Sequence, residues 1–219
     1  GVPPPISQVR SVNDAEGCES LRFLWEENRR MNIRFENLGF FNVDEDYLCY
    51  LNQINSEVQY SKDKDYGKKP FLGIVVMIDT YLYFVPLTSV KPKHAKWKNV
   101  GSAHFLIYEQ IPKTELRKAD IFKSLSETEA LKIFAALEIK KMIPVRADLY
   151  TRIDFAALSD KQYADLLEKE YRFCKKNQDR ILKKIEQVYA EQKETGKVHP
   201  MYCDFAKLEA ACSIYKAKA

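Results

Sequence analysis

The sequence predicts an α+β fold, a sheet with helices packed around it, and three stretches carry that expectation. Phe71 to Ile78 is an unbroken apolar run of strand length, Phe-Leu-Gly-Ile-Val-Val-Met-Ile. Tyr81 to Val85 alternates and follows after only Asp79-Thr80, the spacing of a tight hairpin. Residues 159 to 193, in contrast, hold Tyr163, Leu166, Leu167, Tyr171, Cys174, Ile181, Leu182, Ile185 and Tyr189 at helical spacing.

A chain of 219 residues can bury one sizeable core. Hydrophobic residues at 46% exclude a disordered polymer. A net charge of +4 permits a nucleic-acid partner without demanding one, so the placement of the lysines decides more than their total. The cysteines Cys18, Cys49, Cys174, Cys203 and Cys212 form no Cys-x-x-Cys pair, which points to reduced thiols in a cytoplasmic protein and away from a disulfide frame or zinc site. No apolar run reaches the ~18 residues of a membrane span. The proline-rich opening lacks the basic-then-apolar order of a secretory signal.

Residues 1 to 30 differ in character from the rest, opening with Gly-Val-Pro-Pro-Pro and closing with Arg29-Arg30. Two readings stand. They are an extension foreign to the domain, with Met31 the natural start, or an arm whose short helix from Ser20 to Asn28 buries Leu21, Leu24 and Trp25. Residues 31 to 219 make up the domain. Ile33 to Asn42 reads as a strand, and Asp44 caps a helix over 45 to 55 with Tyr47, Leu48, Leu51 and Ile54 inward. Residues 56 to 69 are a polar loop holding Tyr60, Tyr66, Lys68 and Lys69 immediately before the hairpin. Ala103 to Glu109 reads as a third strand, and 110 to 126 as a polar connection. Ser126 with Glu129 forms a capping box, predicting a helix to about Leu137 with Leu131, Phe134 and Ala135 inward. Glu138 to Val145 reads as a further strand. Ser159 with Gln162 is a second capping box, predicting one long helix to about Lys193, stopped by Gly196 and Pro200. Asp204 caps a last helix with Phe205, Leu208, Cys212 and Tyr215 on one face.

The chemistry concentrates where the second hairpin strand ends. Thr88 and Ser89 follow Pro86-Leu87, and Lys91, Lys93, Lys96 and Lys98 follow them, interleaved with His94 and Trp97. Folding back the hairpin would bring Lys69 at its entrance near Thr88 and Ser89 at its exit. RNA can be cut without a metal when its ribose 2′-hydroxyl attacks the adjacent phosphorus. Such a site must move two protons and stabilise charge on phosphate oxygens. Lysines suit the second task, and a lysine crowded by other cations is drawn toward acid–base use. Hydroxyls can orient the phosphate or the attacking oxygen, and aromatic rings stack on unpaired bases. The plainer readings are hydroxyls that satisfy a strand-end turn and lysines on a solvated loop. His94, His104 and His199 have no carboxylate or Cys at ligand spacing, so no metal site is expected. Ser89 lacks the Gly-x-Ser-x-Gly context of a hydrolase nucleophile, and no Gly-rich nucleotide motif is present, so no cofactor is expected.

Lys69-Pro70-Phe71-Leu72-Gly73-Ile74-Val75, followed by Tyr83-Phe84-Val85-Pro86-Leu87-Thr88-Ser89-Val90-Lys91-Pro92-Lys93-His94, resembles the signature of the ToxN/AbiQ family, endoribonuclease toxins of type III toxin–antitoxin systems. Lys141 to Val145, and Cys203-Asp204-Phe205 leading to Leu208-Glu209 and Tyr215, agree with it. The resemblance implies a twisted antiparallel sheet, partly barrel-like as in the MazF/Kid toxins. It implies metal-independent cleavage leaving a 2′,3′-cyclic phosphate. It further implies inhibition by a small repeated pseudoknot RNA that the toxin processes and joins in a closed toxin–RNA hetero-oligomer, in defence against phage. Matched by motif, Thr88, Ser89, Lys91 and Lys69 fall on the family's active-site block. Tyr66 falls near its tyrosine at slightly shorter spacing, with Tyr60 the alternative. Val90 stands where a proline is common. Lys68, Lys93, His94, Lys96, Trp97 and Lys98 are then expected to hold the RNA strand. Two other classes compete: a non-catalytic RNA-binding module on the same lysines, and a helical adaptor docking a protein through residues 159 to 193.

Overall fold

The chain divides into two units, Gly1–Asn32 and Ile33–Ala219. The computed structural model describes residues 31–60 and 72–216, nearly all of them in the second unit. Along the chain come β1 (Ile33–Phe35), β2 (Phe41–Val43), α1 (Glu45–Ile54), β3 (Leu72–Ile78), β4 (Tyr81–Ser89), β5 (Phe105–Pro112), β6 (Phe122–Ser124), β7 (Glu129–Leu137), β8 (Ile143–Val145) and β9 (Tyr150–Arg152). The helices α2 (Lys161–Lys176), α3 (Gln178–Thr195) and α4 (Phe205–Ile214) follow. The nine strands form one sheet in the order β5-β7-β4-β3-β2-β9, with β1 also on β3, β6 on β7 and β8 on β4. Every pairing is antiparallel. The sheet does not close, because β5 and β9 end its path without pairing to each other among the described residues.

Strand β4 is the hub. Its first part pairs with β3 from Ile78↔Tyr81 to Gly73↔Pro86 and with β8 on its other edge, while its last part, Leu87 to Ser89, pairs with β7. Pro86 marks the handover. It has no N–H to give, but its carbonyl accepts the Glu138 amide at 3.0 Å as β7 ends. Opposite it, Gly73 makes room: a Cβ there would lie 2.4 Å from both Phe84 Cζ and Val85 O. Ile74, Val75, Val76, Ile78, Tyr83, Phe84 and Val85 are almost wholly buried. An unbroken apolar run was legible as a strand because both of its faces are covered.

The caps at Asp44 and Asp204 form as expected, their carboxylates accepting the Tyr47 amide at 2.8 Å and the Lys207 amide at 3.0 Å. Helices α3 and α4 are tied to β4 through buried Glu209. Its Oε1 accepts from Tyr83 and Tyr189 hydroxyls at 2.6 and 2.8 Å, and Lys193 Nζ lies 2.6 Å from its Oε2.

Five expectations need correction. Residues 129 to 137 are strand β7, not a helix. Ser126 Oγ does accept the Glu129 amide at 3.0 Å, as in a helix cap, but the Leu125 amide reaches the Glu129 carbonyl at 3.0 Å and closes the loop of the β6–β7 hairpin instead. Pairing with β5, β6 and β4 overrides the helical propensity of its alanines and leucines. The polar connection from 110 to 126 holds the end of β5 and all of β6. The region 138 to 145 is a short 3-10 turn, Ile139–Lys141, before β8. The long helix is two helices, capped by Asp160 rather than Ser159 and broken at Asn177. The Asn177 side chain donates to the Phe173 carbonyl at 2.9 Å, competing with the helical ladder. The strand expected from Ile33 to Asn42 is likewise split into β1 and β2.

Candidate active site

The site is built on the end of β4. Thr88 pairs with Ala136 and Ser89 with Ala135, so two small partners on β7 leave the hydroxyls uncrowded. Successive strand residues point to opposite sides. Thr88 is half-buried, and Gln59 Nε2 donates to its Oγ1 at 3.4 Å. Ser89 is exposed. Val90 turns inward against the cluster of Leu106, Ile133 and Ala136. Lys91, still extended at φ −133° and ψ 158°, is exposed again, on the side of Ser89 by the alternation.

Pro92 then starts a 3-10 turn, Pro92–Lys96, and holds Lys91 in extended backbone. The turn is cross-braced. The His94 amide donates to the Lys91 carbonyl at 2.9 Å, and the Lys91 amide donates to His94 Nδ1 at 3.0 Å. The His94 ring is fully buried. It lies 4.3 Å from the Trp97 ring, which lies 4.4 Å from the His104 ring. His104 Nε2 bonds the Lys98 carbonyl at 2.9 Å. Gly101 is required beside it, since a Cβ there would fall 2.1 Å from the His104 ring. From β6, Lys123 donates to the Trp97 carbonyl and, at 2.7 Å, to Asn99 Oδ1. Burial holds the Lys123 ammonium below its ordinary pKa. Burial also lowers the His94 pKa, with help from Lys93, His104 and Lys91, so the imidazole is neutral at pH 7.

The segment therefore exposes Ser89, Lys91, Lys93, Lys96 and Lys98 on a rigid frame. No acidic residue occurs in the sequence between Asp79 and Glu109, so the cations face no local neutralising partner along the chain. Burial of the His94 ring corrects the sequence expectation, while Trp97 stays partly exposed. Both rings brace the turn, and Lys93 Nζ sits 5.3 Å over the Trp97 ring. Tyr66, Lys68 and Lys69 lie outside the described residues. Tyr60, the alternative tyrosine, is half-buried. Gln59 and Lys123 carry no signal in the sequence, because their partners are distant along the chain. Among the described residues no group of three His, Cys, Asp or Glu side chains is placed to hold a metal ion. No described helix is long and apolar enough to cross a membrane.

Known proteins resemble this chain in sequence and in fold. A protein from Bacillus thuringiensis subsp. kurstaki named Endoribonuclease ToxN is 29% identical, over 84% of this chain and 87% of that protein. A solved structure concerned with selective toxin inhibition by a non-coding RNA pseudoknot superposes with a TM-score of 0.61 at 29% identity, covering 82% of this chain and 98% of that one. A second, from work on a processed non-coding RNA that regulates a bacterial antiviral system, shares the fold with a TM-score of 0.64 at 22% identity, over 82% and 99% of the two chains. Residues 39–213 match the family described as Toxin ToxN, type III toxin-antitoxin system, and the chain belongs to that family.

Proposed function

We propose that this protein is an endoribonuclease toxin that cuts RNA by attack of a 2′-hydroxyl on the adjacent phosphorus, leaving a 2′,3′-cyclic phosphate and a free 5′-hydroxyl, without a metal ion. The observation that carries the reading is the exposed pair Ser89 and Lys91, two residues apart on extended backbone at the end of the hub strand. An ammonium and a hydroxyl on one side of one strand can hold a phosphate oxygen and the attacking group together. Lys91 stabilises charge on the phosphate, and Ser89 orients it. Thr88, on the other side and braced by Gln59, sets the strand end. Lys69 joins Lys91 and Tyr66 takes part in base packing or proton transfer, both assigned by motif. The end of the hairpin where β3 begins is the end where β4 delivers Thr88 and Ser89. Lys68, Lys93, Lys96 and Lys98 hold the RNA strand.

Family membership and the similarity to toxins bound by non-coding RNA support a small repeated pseudoknot RNA as the inhibitor. That RNA occupies the same site, is cut from its precursor by this protein, and closes with it into a hetero-oligomer, in defence against phage. The deciding experiment incubates purified protein with RNA in EDTA and identifies the ends. Cyclic-phosphate ends from the wild type, lost in Ser89→Ala and Lys91→Ala, are expected. RNA binding without cleavage would replace this reading with a non-catalytic RNA-binding module.

A further inference from the structure

The turn after β4 fixes Lys91 from both ends of its own backbone. Its carbonyl accepts the His94 amide at 2.9 Å, and its amide donates to the His94 ring at 3.0 Å. The second bond needs a lone pair on Nδ1, so the ring must carry its proton on Nε2. Among the described residues that Nε2 is buried with no hydrogen-bond partner. The ring is 0% exposed, and Trp97 packs on it. It therefore cannot reach a substrate without dismantling the turn, and its one polar contact among the described residues is the backbone of Lys91.

The charged and titratable groups around this ring all oppose a second proton. Lys91 and Lys93 belong to its own turn, His104 stands across Trp97, and Lys123 of β6 reaches the loop at the Trp97 carbonyl. A proton on Nδ1 would face the Lys91 N–H with another N–H and place a buried charge among these cations.

We propose that His94 is a positioning residue, whose neutral imidazole clamps the backbone of Lys91 so that its ammonium stands on the side of Ser89, and that it never touches RNA. The role rests on the endoribonuclease reading above, while the clamp itself does not. Since burial and the cations lower the His94 pKa in the fold, the clamp is intact above the ordinary imidazole value of 6.5 and opens as pH falls below it through the folded value.

Two substitutions separate the ring from its acceptor. His94→Phe keeps the packing and removes the lone pair. His94→Asn restores an acceptor near Nδ1 that cannot be protonated. In single-turnover cleavage, His94→Phe is expected to slow the step about 10- to 100-fold with RNA affinity changed less than about threefold, the signature of a misplaced group rather than a lost contact. His94→Asn should recover most of the rate and lose the acid limb below pH 6.5 that is expected of the wild type. In the protein without RNA, nitrogen-15 shifts should report the Nε2–H tautomer, and exchange of the Lys91 amide should quicken about tenfold in His94→Phe but not in His94→Asn. A wild-type cleavage rate in His94→Phe, equal damage in both variants, an affinity loss as large as that of Lys93→Ala, or an unchanged Lys91 amide would each overturn the proposal. If the wild type cuts no RNA, the catalytic part falls with the endoribonuclease reading, and the amide measurement still decides whether the clamp exists.

Discussion

Gly73 lies opposite Pro86 in the β3–β4 ladder, and the space where its side chain would sit is already filled by the Phe84 ring and the Val85 carbonyl. Both neighbours are wholly buried, one of them backbone, so neither can retreat cheaply. Gly73→Ala should destabilise the fold by about 1–3 kcal/mol or more, as overpacking does. It should also lower RNA cleavage by shifting the strand that carries Thr88 and Ser89. Chemical denaturation with Ile74→Val as a mild core control checks this. A stability for Gly73→Ala equal to the wild type would mean that the hairpin yields where it is described as tight.

The same hairpin was the most legible element, and the reason is physical. Strand type is announced by an apolar run only when both faces are covered, and Ile74 to Ile78 is covered on both. Helix ends marked by Asp44 and Asp204 were legible because a carboxylate cap bonds an amide three residues on. The Ser126–Glu129 pair misled for that very cause. A serine accepting an amide three residues ahead serves a hairpin loop equally, and only pairing with other strands decides between them. Asn177 breaks α2 from α3 by a local side-chain bond that hydrophobic spacing does not register. At the site, the order of hydroxyls and lysines was readable. The inward turn of Trp97, and with it of His94, was not, since Trp97 packs on Leu106, Ile133 and Ala136 from β5 and β7 and His94 packs on Trp97.

Lys123 is a cation used as a strut. It spans from β6 to the Trp97 carbonyl and Asn99, the two residues flanking Lys98. Lys123→Met keeps the stem and removes both bonds, leaving two loop acceptors unpaired. The expected cost is about 1–3 kcal/mol of stability. Proteolysis or amide exchange should show the loosening in residues 97 to 100 before the rest of the domain. Uniform loosening across all strands would argue against a local strut.

Glu170 is buried on α2, and burial raises its carboxyl pKa from 4.5 to about 8. A raised acid binds protons more readily in the folded chain than in the unfolded one. Its neutral form is therefore compatible with folding at low pH, and stability is lost as pH rises from 4.5 through about 8. Glu170→Gln should remove that loss, gaining roughly 2–4 kcal/mol at pH 8 and little at pH 4.5. Thermal unfolding at the two pH values measures it. A variant no more stable than the wild type at pH 8 would mean that the carboxylate finds a partner when it ionises.

Lys93, Lys96 and Lys98 are exposed around a braced turn, while Ser89 and Lys91 stand at the strand end. The two groups should fail differently. Under the proposed function the three outer lysines meet phosphate charge alone. Replacing all three by alanine should weaken RNA binding and make the logarithm of affinity less salt-dependent by about 2, at roughly 0.7 for each phosphate contact on a single strand. Cleavage of fully bound RNA should then stay within about tenfold of the wild type, because these groups bind ground and transition states alike. Lys91→Ala, in contrast, should lower the rate of bound RNA by at least about 100-fold while changing the salt slope by no more than one contact. Titrations at several salt concentrations, paired with single-turnover rates, test both halves. A triple variant that binds normally but no longer cuts would move the catalytic charge from Lys91 to the turn.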